Sequence, residues 1–302
     1  MTDRIALHRQ QFWAGSLAAL ASAILFASNV VFSRLAYDFG ANLHSLNLVR
    51  TVTFLCCLVL MVFAGGTGAK IHRADMLRCF WLGVLLCAEM YLVLASIIFI
   101  PVALAILVFY SYPLMIALWA WATGKRSISM LILGVMLVAF SGLVITLPGC
   151  DVLSAGWQGW AGDGLAVCAA VGLAALLILT EQVLNTLHVH LMMFYMLLSA
   201  TAIVLTVSLT MVEVRWPDSG PGWLTLAASA GLYVGATLLL FRAVDLVGSL
   251  QTAIIDNTSP IWAMILGFIV LAQWLTPREV AGALVTVGAV MLLQWLRRPK
   301  TG

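Results

Sequence analysis

Long apolar runs separated by short polar turns follow one another along this chain. A helix needs about 20 mostly apolar residues to cross the hydrocarbon core of a bilayer. The pattern therefore predicts ten membrane-spanning helices and an all-α integral membrane fold. The predicted spans lie at about 12–34, 44–64, 77–98, 100–122, 128–148, 162–184, 190–211, 222–244, 248–271 and 277–296.

Composition strengthens this prediction. Of the 302 residues, 63% are hydrophobic and only 9% are charged, whereas a soluble domain carries about 25% charged residues. The net charge of +3 is small, and no basic run alternates with aromatic residues. The lipid bilayer is therefore an expected partner, and nucleic acid is not.

The first apolar run also fits a secretory signal, because a charged segment precedes it and Ala21-Ser22-Ala23 resembles a cleavage site. The run continues to Ser33, however, which is too long for a cleaved signal. We therefore expect it to be the first membrane span.

Lysine and arginine indicate the orientation. If the amino terminus is cytoplasmic, the inside segments hold eleven of these residues, and the outside segments hold only Arg34, Arg215 and Arg278. Cytoplasmic loops are enriched in positive charge. Both termini are therefore predicted to be cytoplasmic.

The two halves of the chain match weakly at a shift of about 147 residues, which is typical of transporters built from repeats. Pro113 then overlays Pro260, and Tyr110 overlays Asn257. A repeat of five spans has an odd number, so the two copies must enter the membrane from opposite sides. We predict two inverted five-helix repeats, residues 12–148 and 162–296. The alternative is that apolar helices merely resemble one another.

Two spans carry a proline near mid-membrane depth, in the segments Tyr110–Pro113 and Asp256–Pro260. Proline removes a backbone donor and clashes with the preceding turn, so each helix should bend or loosen there. Interrupted spans at corresponding positions of two halves indicate a substrate site. Pro113 and Pro260 are therefore the predicted gating kinks, with passive bends as the alternative.

Polar side chains on the ninth span recur at helical spacing and form one stripe. Its members are Thr252, Asp256 and Ser259, with Asn257 one step round the helix. On the fourth span, Tyr110 shares a face with Pro113, whereas Tyr112 points elsewhere. Tyr110 is therefore the tyrosine that we expect in the cavity.

Charged residues inside the spans are costly and usually functional. Glu89 and Asp256 lie too deep to reach the interface, so each must be protonated, paired or hydrated. Arg50 is the nearest counter-charge, but spacing does not decide which acid it meets. A role in substrate or proton binding is expected for these residues, and a structural ion pair is the alternative. Glu181, near the inner end of the sixth span, is expected to reach the interface or pair with loop groups.

Other candidates are uncharged. Asn29 lies deep in the first span and needs hydrogen-bond partners. Aromatic residues could stack on a substrate, although packing is the alternative; the candidates are Phe26, Tyr233 and Trp262. Gly231 and Gly235 form a Gly-x-x-x-Gly pair, which predicts close helix packing.

Enzyme signatures do not occur in this sequence: it has no P-loop, no His-Glu-x-x-His and no Gly-x-Ser-x-Gly. We therefore expect neither an enzyme nor a cofactor or metal site. A membrane-embedded lipid enzyme is a remote alternative, because its catalytic groups should cluster at an interface.

The overall pattern resembles the drug/metabolite transporter superfamily, EamA type. The resemblance rests on ten short-looped spans in two halves and on two motif runs. These runs are Pro101–Ala105 leading to Ser111–Leu114, and Gly248–Leu250 leading to Ser259–Ile261. Arg50 lies where that family often has an arginine. The resemblance implies a central cavity, alternating access by the fourth and ninth spans, and a bacterial inner membrane location.

The first functional hypothesis is a secondary active or facilitative transporter that exports small metabolites, with amino acids as the expected class. A zwitterion suits a cavity that holds both Asp256 and Arg50. Glu89 or Asp256 could instead carry a coupling proton, because burial favours the uncharged form of a carboxyl. The alternative is efflux of lipophilic cations, with Glu89 as the binding acid. A monomer is the expected form.

Overall fold

The computed structural model describes residues 2–64, 71–99, 108–123, 130–146, 156–210, 213–271 and 277–296. In these ranges every regular element is a helix, which agrees with the predicted all-α class. The helices are α1 (Thr2–Asp38), α2 (Leu43–Ala64), α3 (Arg73–Phe99), α4 (Tyr112–Ala122), α5 (Met130–Thr146), α6 (Gly156–Leu184), α7 (Val189–Thr210), α8 (Gly220–Val247), α9 (Ser249–Asp256), α10 (Ser259–Leu271) and α11 (Pro277–Leu296).

Seven helical stretches of the described chain are long and apolar enough to cross a membrane. They are α1, α2, α3, α6, α7, α8 and the joined stretch Ser249–Val270. Shorter apolar stretches occur at Tyr112–Ala122, Leu133–Gly142 and Val280–Ala289. The protein is therefore a multi-pass membrane protein. Residues 100–107 of the predicted fourth span, with the run Pro101–Ala105, lie outside the described residues, as do 128–129 and 147–148 of the fifth.

Polar residues at the helix ends set the turns between spans. Gly40 follows α1 with φ 92° and donates its N–H to the Tyr37 carbonyl at 3.0 Å. Positive φ is costly for residues that carry a Cβ, which explains the glycine there. Asn42 then caps α2 by accepting the Ser45 N–H at 3.0 Å. The same connection also contacts the chain before α8, because the Asn42 side chain donates to the Glu213 carbonyl at 2.7 Å.

The most extensive helix contacts join the first half of the chain, α1–α5, to the second half, α6–α11. α1 packs on α8, α3 on α6, and α5 on α11. α2 contacts both α7 and α8, and α3 also contacts α7. The two halves therefore share one core and are not separate globules.

Two interrupted helices lie within this core. α4 contacts α6 and α9, and α1 contacts both α9 and α10. Tyr112, Phe54 and Phe241 are among the largest fully buried side chains. Large apolar residues such as Leu209 and Leu224 are exposed instead, as expected on a surface that faces lipid.

Close helix approach depends on other glycines than the predicted pair. A methyl group at Gly83 of α3 would overlap the Met196 carbonyl of α7, and one at Gly142 of α5 would lie 2.7 Å from the Thr286 nitrogen of α11. At Gly231 it would meet no described atom within 4 Å, so the prediction for this residue is wrong. Gly235 would meet only Leu25, at 3.2 Å. The Gly-x-x-x-Gly spacing did not show which glycines meet another helix, because Gly231 is exposed.

Candidate functional site

Two helical spans are each interrupted by a two-residue turn just before their mid-span proline. Residues 110–111 form a turn, and α4 begins at Tyr112 with Pro113 in its first turn. Residues 257–258 form the second turn, and α10 begins at Ser259 with Pro260 next. Proline fits the first turn of a helix, where its missing N–H would have no partner anyway. Each proline therefore follows a local loosening of the helix, and residues 111 and 257 keep right-handed helical backbone angles.

A hydrogen bond joins the two interruptions. The Tyr112 hydroxyl donates to Oδ2 of Asp256 at 2.8 Å. The Ser259 hydroxyl donates to Oδ1 of the same carboxyl group at 3.2 Å, so both oxygens accept a bond. The prediction that Tyr112 points away from this region is wrong. Spacing within the fourth span separates Tyr112 from the Tyr110 face, but it does not show that α9 packs on the Tyr112 side.

Tyr110 and Asn257 lie beside this hydrogen bond but do not take part in it. Both line a small void with Pro113, and the Tyr110 ring centroid is 6.3 Å from that of Tyr112. Asn257 is buried, and its Oδ1 has no hydrogen-bond partner in the described part of the chain. These predicted residues thus lie at the interruptions, on the side that faces α5.

A second polar cluster surrounds Arg50 on α2. Its Nη2 donates to Oδ1 of Asn29 at 2.9 Å, to Oγ of Ser229 at 3.2 Å and to Oγ of Ser33. The guanidinium lies over the Tyr233 ring, 5.4 Å from its centroid, which is a cation–π distance. Asn29 also donates to the Ser229 carbonyl at 2.6 Å. Hydroxyl, amide and aromatic groups therefore hold the cation.

Neither deep acid pairs with this cation. Glu89 and Asp256 form no ion pair with Arg50, and Glu89 has no hydrogen bond to any described residue. Glu89 is only 8% exposed on α3. A positive and a negative group thus occupy the interior without a described protein counter-charge.

Of the remaining predicted residues, the structure brings only some to the Arg50 cluster. Phe26 and Phe54 contact the Tyr233 ring edge-on, at centroid distances of 6.0 and 6.3 Å. Thr252 is fully buried, and its hydroxyl donates to a carbonyl one turn earlier at 2.9 Å. Trp262 is half-buried in the first turn of α10.

Sequence reasoning missed two hydroxyls of the cluster, and helical spacing would have identified both. Ser33 lies four residues after Asn29, and Ser229 lies four residues before Tyr233. Residues at this spacing share one helix face. The polar stripes of the first and eighth spans were therefore visible in the sequence.

The apolar helices and the polar groups buried between them define a multi-pass membrane protein with a polar interior. Residues 160–295 match the model of the EamA-like transporter family. This match confirms the resemblance to the drug/metabolite transporter superfamily for residues 160–295, which are similar to an EamA-like transporter domain.

Comparison with solved structures supports the fold of nearly the whole chain. A structure titled "Crystal structure of protein" superposes with a TM-score of 0.78 at 16% identity. The superposition covers 94% of this chain and 99% of that one. At this identity the likeness shows the fold alone. No curated protein sequence matches the chain.

Proposed function

We propose that this chain is a secondary active or facilitative transporter that exports amino acids or similar small metabolites by alternating access. The Tyr112–Asp256 hydrogen bond carries the proposal, because it links two interrupted spans in the interior of the bundle. Transporters bind polar cargo at interrupted spans, where helix ends and side chains replace water. The EamA-like match over residues 160–295 supports the class.

A zwitterionic cargo suits the charges of this interior. Nε of Arg50 is buried without a described hydrogen-bond partner, so the guanidinium retains a donor for a carboxylate. Glu89 and Asp256 offer negative charge to an ammonium group. Bonds between charged groups are stronger than neutral ones, and arginine–carboxylate pairs are often bidentate. In this proposal, the acid that does not bind cargo is the candidate carrier of a coupling proton.

We further propose that the fold is two inverted five-helix repeats, residues 12–148 and 162–296, that form ten spans. The helix contacts support this arrangement. Exchanging the halves converts the α1–α8 pair into α6–α3 and the α2–α8 pair into α7–α3, and all four pairs are in contact. The interruptions at Pro113 and Pro260 then correspond, and both become gating positions. The Arg50 cluster and both interrupted spans lie within one chain, so we propose a monomer.

The proposed location is the bacterial inner membrane, with both termini in the cytoplasm. Exposed turns permit a direct test, because Asn185 and Asp218 should then lie on opposite faces. Cysteine is placed at either position after all six native cysteines are replaced by serine. An impermeant maleimide added to spheroplasts should label position 218 and spare 185. The reverse pattern contradicts the orientation.

Transport itself is tested by counterflow of radiolabelled amino acids into proteoliposomes. Arg50→Lys and Asp256→Asn should each lower the rate about tenfold, the factor expected for losing one charge-assisted hydrogen bond. Arg34→Lys is the matched control, because Arg34 is exposed and pairs only with Asp38 among described residues. Equal rates for Asp256→Asn and the unaltered protein would remove Asp256 from the mechanism. Absence of counterflow for every amino acid contradicts the proposed cargo.

A second candidate function is efflux of lipophilic cations. The observation that favours it is Glu89, a buried acid without a described cationic partner, in a bundle whose interior also holds the Phe26–Tyr233 aromatic pair. Growth of expressing cells on cationic dyes and on toxic amino-acid analogues separates the two functions. Glu89→Gln should abolish dye resistance under this alternative and leave analogue resistance unchanged.

A further inference from the structure

Glu181 on α6 holds the first residue of α9. Its Oε2 accepts hydrogen bonds from the backbone N–H of Ser249 at 2.8 Å and from the Ser249 hydroxyl at 2.5 Å. The two residues are 68 positions apart, so the contact connects separate helices. The sequence led us to expect only interface or loop contacts for Glu181, and this bond to an interrupted span is a different role.

Gly248 explains why the cap of α9 comes from another helix. Its φ is 83° and its ψ is 166°, a region that residues with a Cβ rarely adopt. Glycine has no side-chain oxygen, and α9 receives no cap from its own N-cap residue. The Glu181 carboxylate satisfies the Ser249 N–H instead, and negative charge is favoured at a helix N-terminus.

Carboxylates therefore fix α9 at both ends. Glu181 binds its first residue, and Asp256, its last residue, binds Tyr112 of α4 at 2.8 Å. All eight residues of α9 are buried. Between these two attachments its buried apolar residues include Leu250, Ala253 and Ile254, whose contacts are not directional.

A cavity of about 310 Å³ lies beside the first attachment. Its walls belong to α4, α6 and α9. Its polar lining residues are Glu181, Gln182, Asn185 and Ser249, and its apolar ones include Ile116 and Trp119. Because Asn185 is in an exposed turn, the cavity approaches the face that we assign to the cytoplasm. Space for movement of the first turn of α9 is thus present next to the contact that restrains it.

We infer that Glu181 is a positioning residue whose hydrogen bonds to Ser249 hold the amino-terminal end of α9. We call this pair of bonds the latch, and we infer that α9 pivots about Gly248 when they break. Release of Ser249 moves Thr252 and Asp256 relative to α4, which changes access to the interior from the cytoplasmic side. The inference rests on the proposed transport function, because it names the hinge by which one interrupted span moves.

Hydrogen–deuterium exchange in lipid nanodiscs tests the latch without any cargo. In Glu181→Ala, the amides of 249–256 should exchange about tenfold faster, because a charged hydrogen bond is lost. Glu181→Gln should stay closer to the unaltered protein, since its amide oxygen still accepts from Ser249. Ser249→Ala, which keeps the backbone bond, should be intermediate. Glu213→Gln is the control, because Glu213 is an exposed acid before α8.

Three outcomes decide the question. Unchanged exchange at 249–256 in Glu181→Ala overturns the latch, whatever the cargo is. Faster exchange throughout the chain, including the α5 and α11 peptides, also overturns it, because Glu181 then stabilises the whole bundle. Faster exchange confined to α9 and its neighbours supports the latch.

In counterflow, the supporting result is a changed kcat with an unchanged KM. If the unaltered protein fails to transport amino acids while the exchange result holds, only the proposed function fails.

Discussion

The Tyr112 hydroxyl donates a 2.8 Å hydrogen bond to Asp256, a residue 144 positions later in the chain. Tyr112 is the first residue of α4, and Asp256 is the last residue of α9. Both groups are buried, so water does not replace the bond if it breaks. This hydrogen bond therefore connects the two interrupted spans next to their interruptions.

Tyr112→Phe tests how much this hydrogen bond contributes to stability. The substitution keeps the ring and removes the donor, which leaves a buried carboxylate oxygen without that bond. We expect the free energy of unfolding to fall by about 1–3 kcal/mol, as for other buried acceptors that lose a partner. Denaturant titration in detergent measures the change. Tyr91→Phe is the control, because Tyr91 is half-buried on α3 and makes no hydrogen bond to described residues.

A double-mutant cycle separates this bond from packing. The losses of unfolding free energy caused by Tyr112→Phe and Asp256→Asn should be less than additive, because the second substitution alters a hydrogen bond that the first has already removed. Fully additive effects would show that the two residues act independently.

Cargo discrimination at Arg50 gives a second prediction. Arg50→Lys retains the charge but loses the planar donors that fit a carboxylate and stack on Tyr233. The KM for an amino acid should rise about tenfold, the cost of one charge-assisted bond. The KM for the corresponding amino-acid amide should be unchanged, because that ligand has no carboxylate. A parallel rise for both ligands would indicate that Arg50 only supports the fold.

The positions of the spans and interruptions could be predicted from sequence because they depend on local properties. Apolar length predicted the seven stretches of the described chain that are long enough to cross a membrane, and proline chemistry identified the interruptions at Pro113 and Pro260. Tyr112 was assigned to the wrong side because spacing within one span does not show on which side α9 packs. The partners of Arg50 depend on how α1, α2 and α8 meet, and spacing within one helix does not contain that information.

Helix packing shows the same limit and gives a third prediction. Gly83→Ala would force a methyl group into the Met196 carbonyl of α7, so α3 and α7 must separate. Overpacking of this kind costs about 1–3 kcal/mol of unfolding free energy. Gly134→Ala, on the exposed side of α5 with no described atom within 4 Å of the new methyl group, should be neutral or slightly stabilising. Equal stability of the two variants contradicts the close approach of α3 and α7.

The connection between α8 and α9 gives the last prediction. Gly248 has φ 83° and ψ 166°, and its N–H donates to the Val244 carbonyl at 2.9 Å, so it ends one helix while the next one starts. Alanine in this conformation costs about 1–3 kcal/mol. Gly248→Ala should lower the unfolding free energy by that amount, measured by denaturant titration. It should also weaken the Glu181–Ser249 bond, because relief of strain rotates the Ser249 N–H away from the carboxylate.

Gly220→Ala is the matched control for Gly248→Ala. Gly220 also borders α8, but it has no positive φ, and an added methyl group would meet no described atom within 4 Å. A loss of stability in both variants would mean that any side chain at the ends of α8 is harmful. A loss confined to Gly248→Ala, with faster amide exchange in α9, would trace the effect to the backbone conformation. Transport should then slow through kcat, because the pivot is altered while the groups that bind cargo are unchanged.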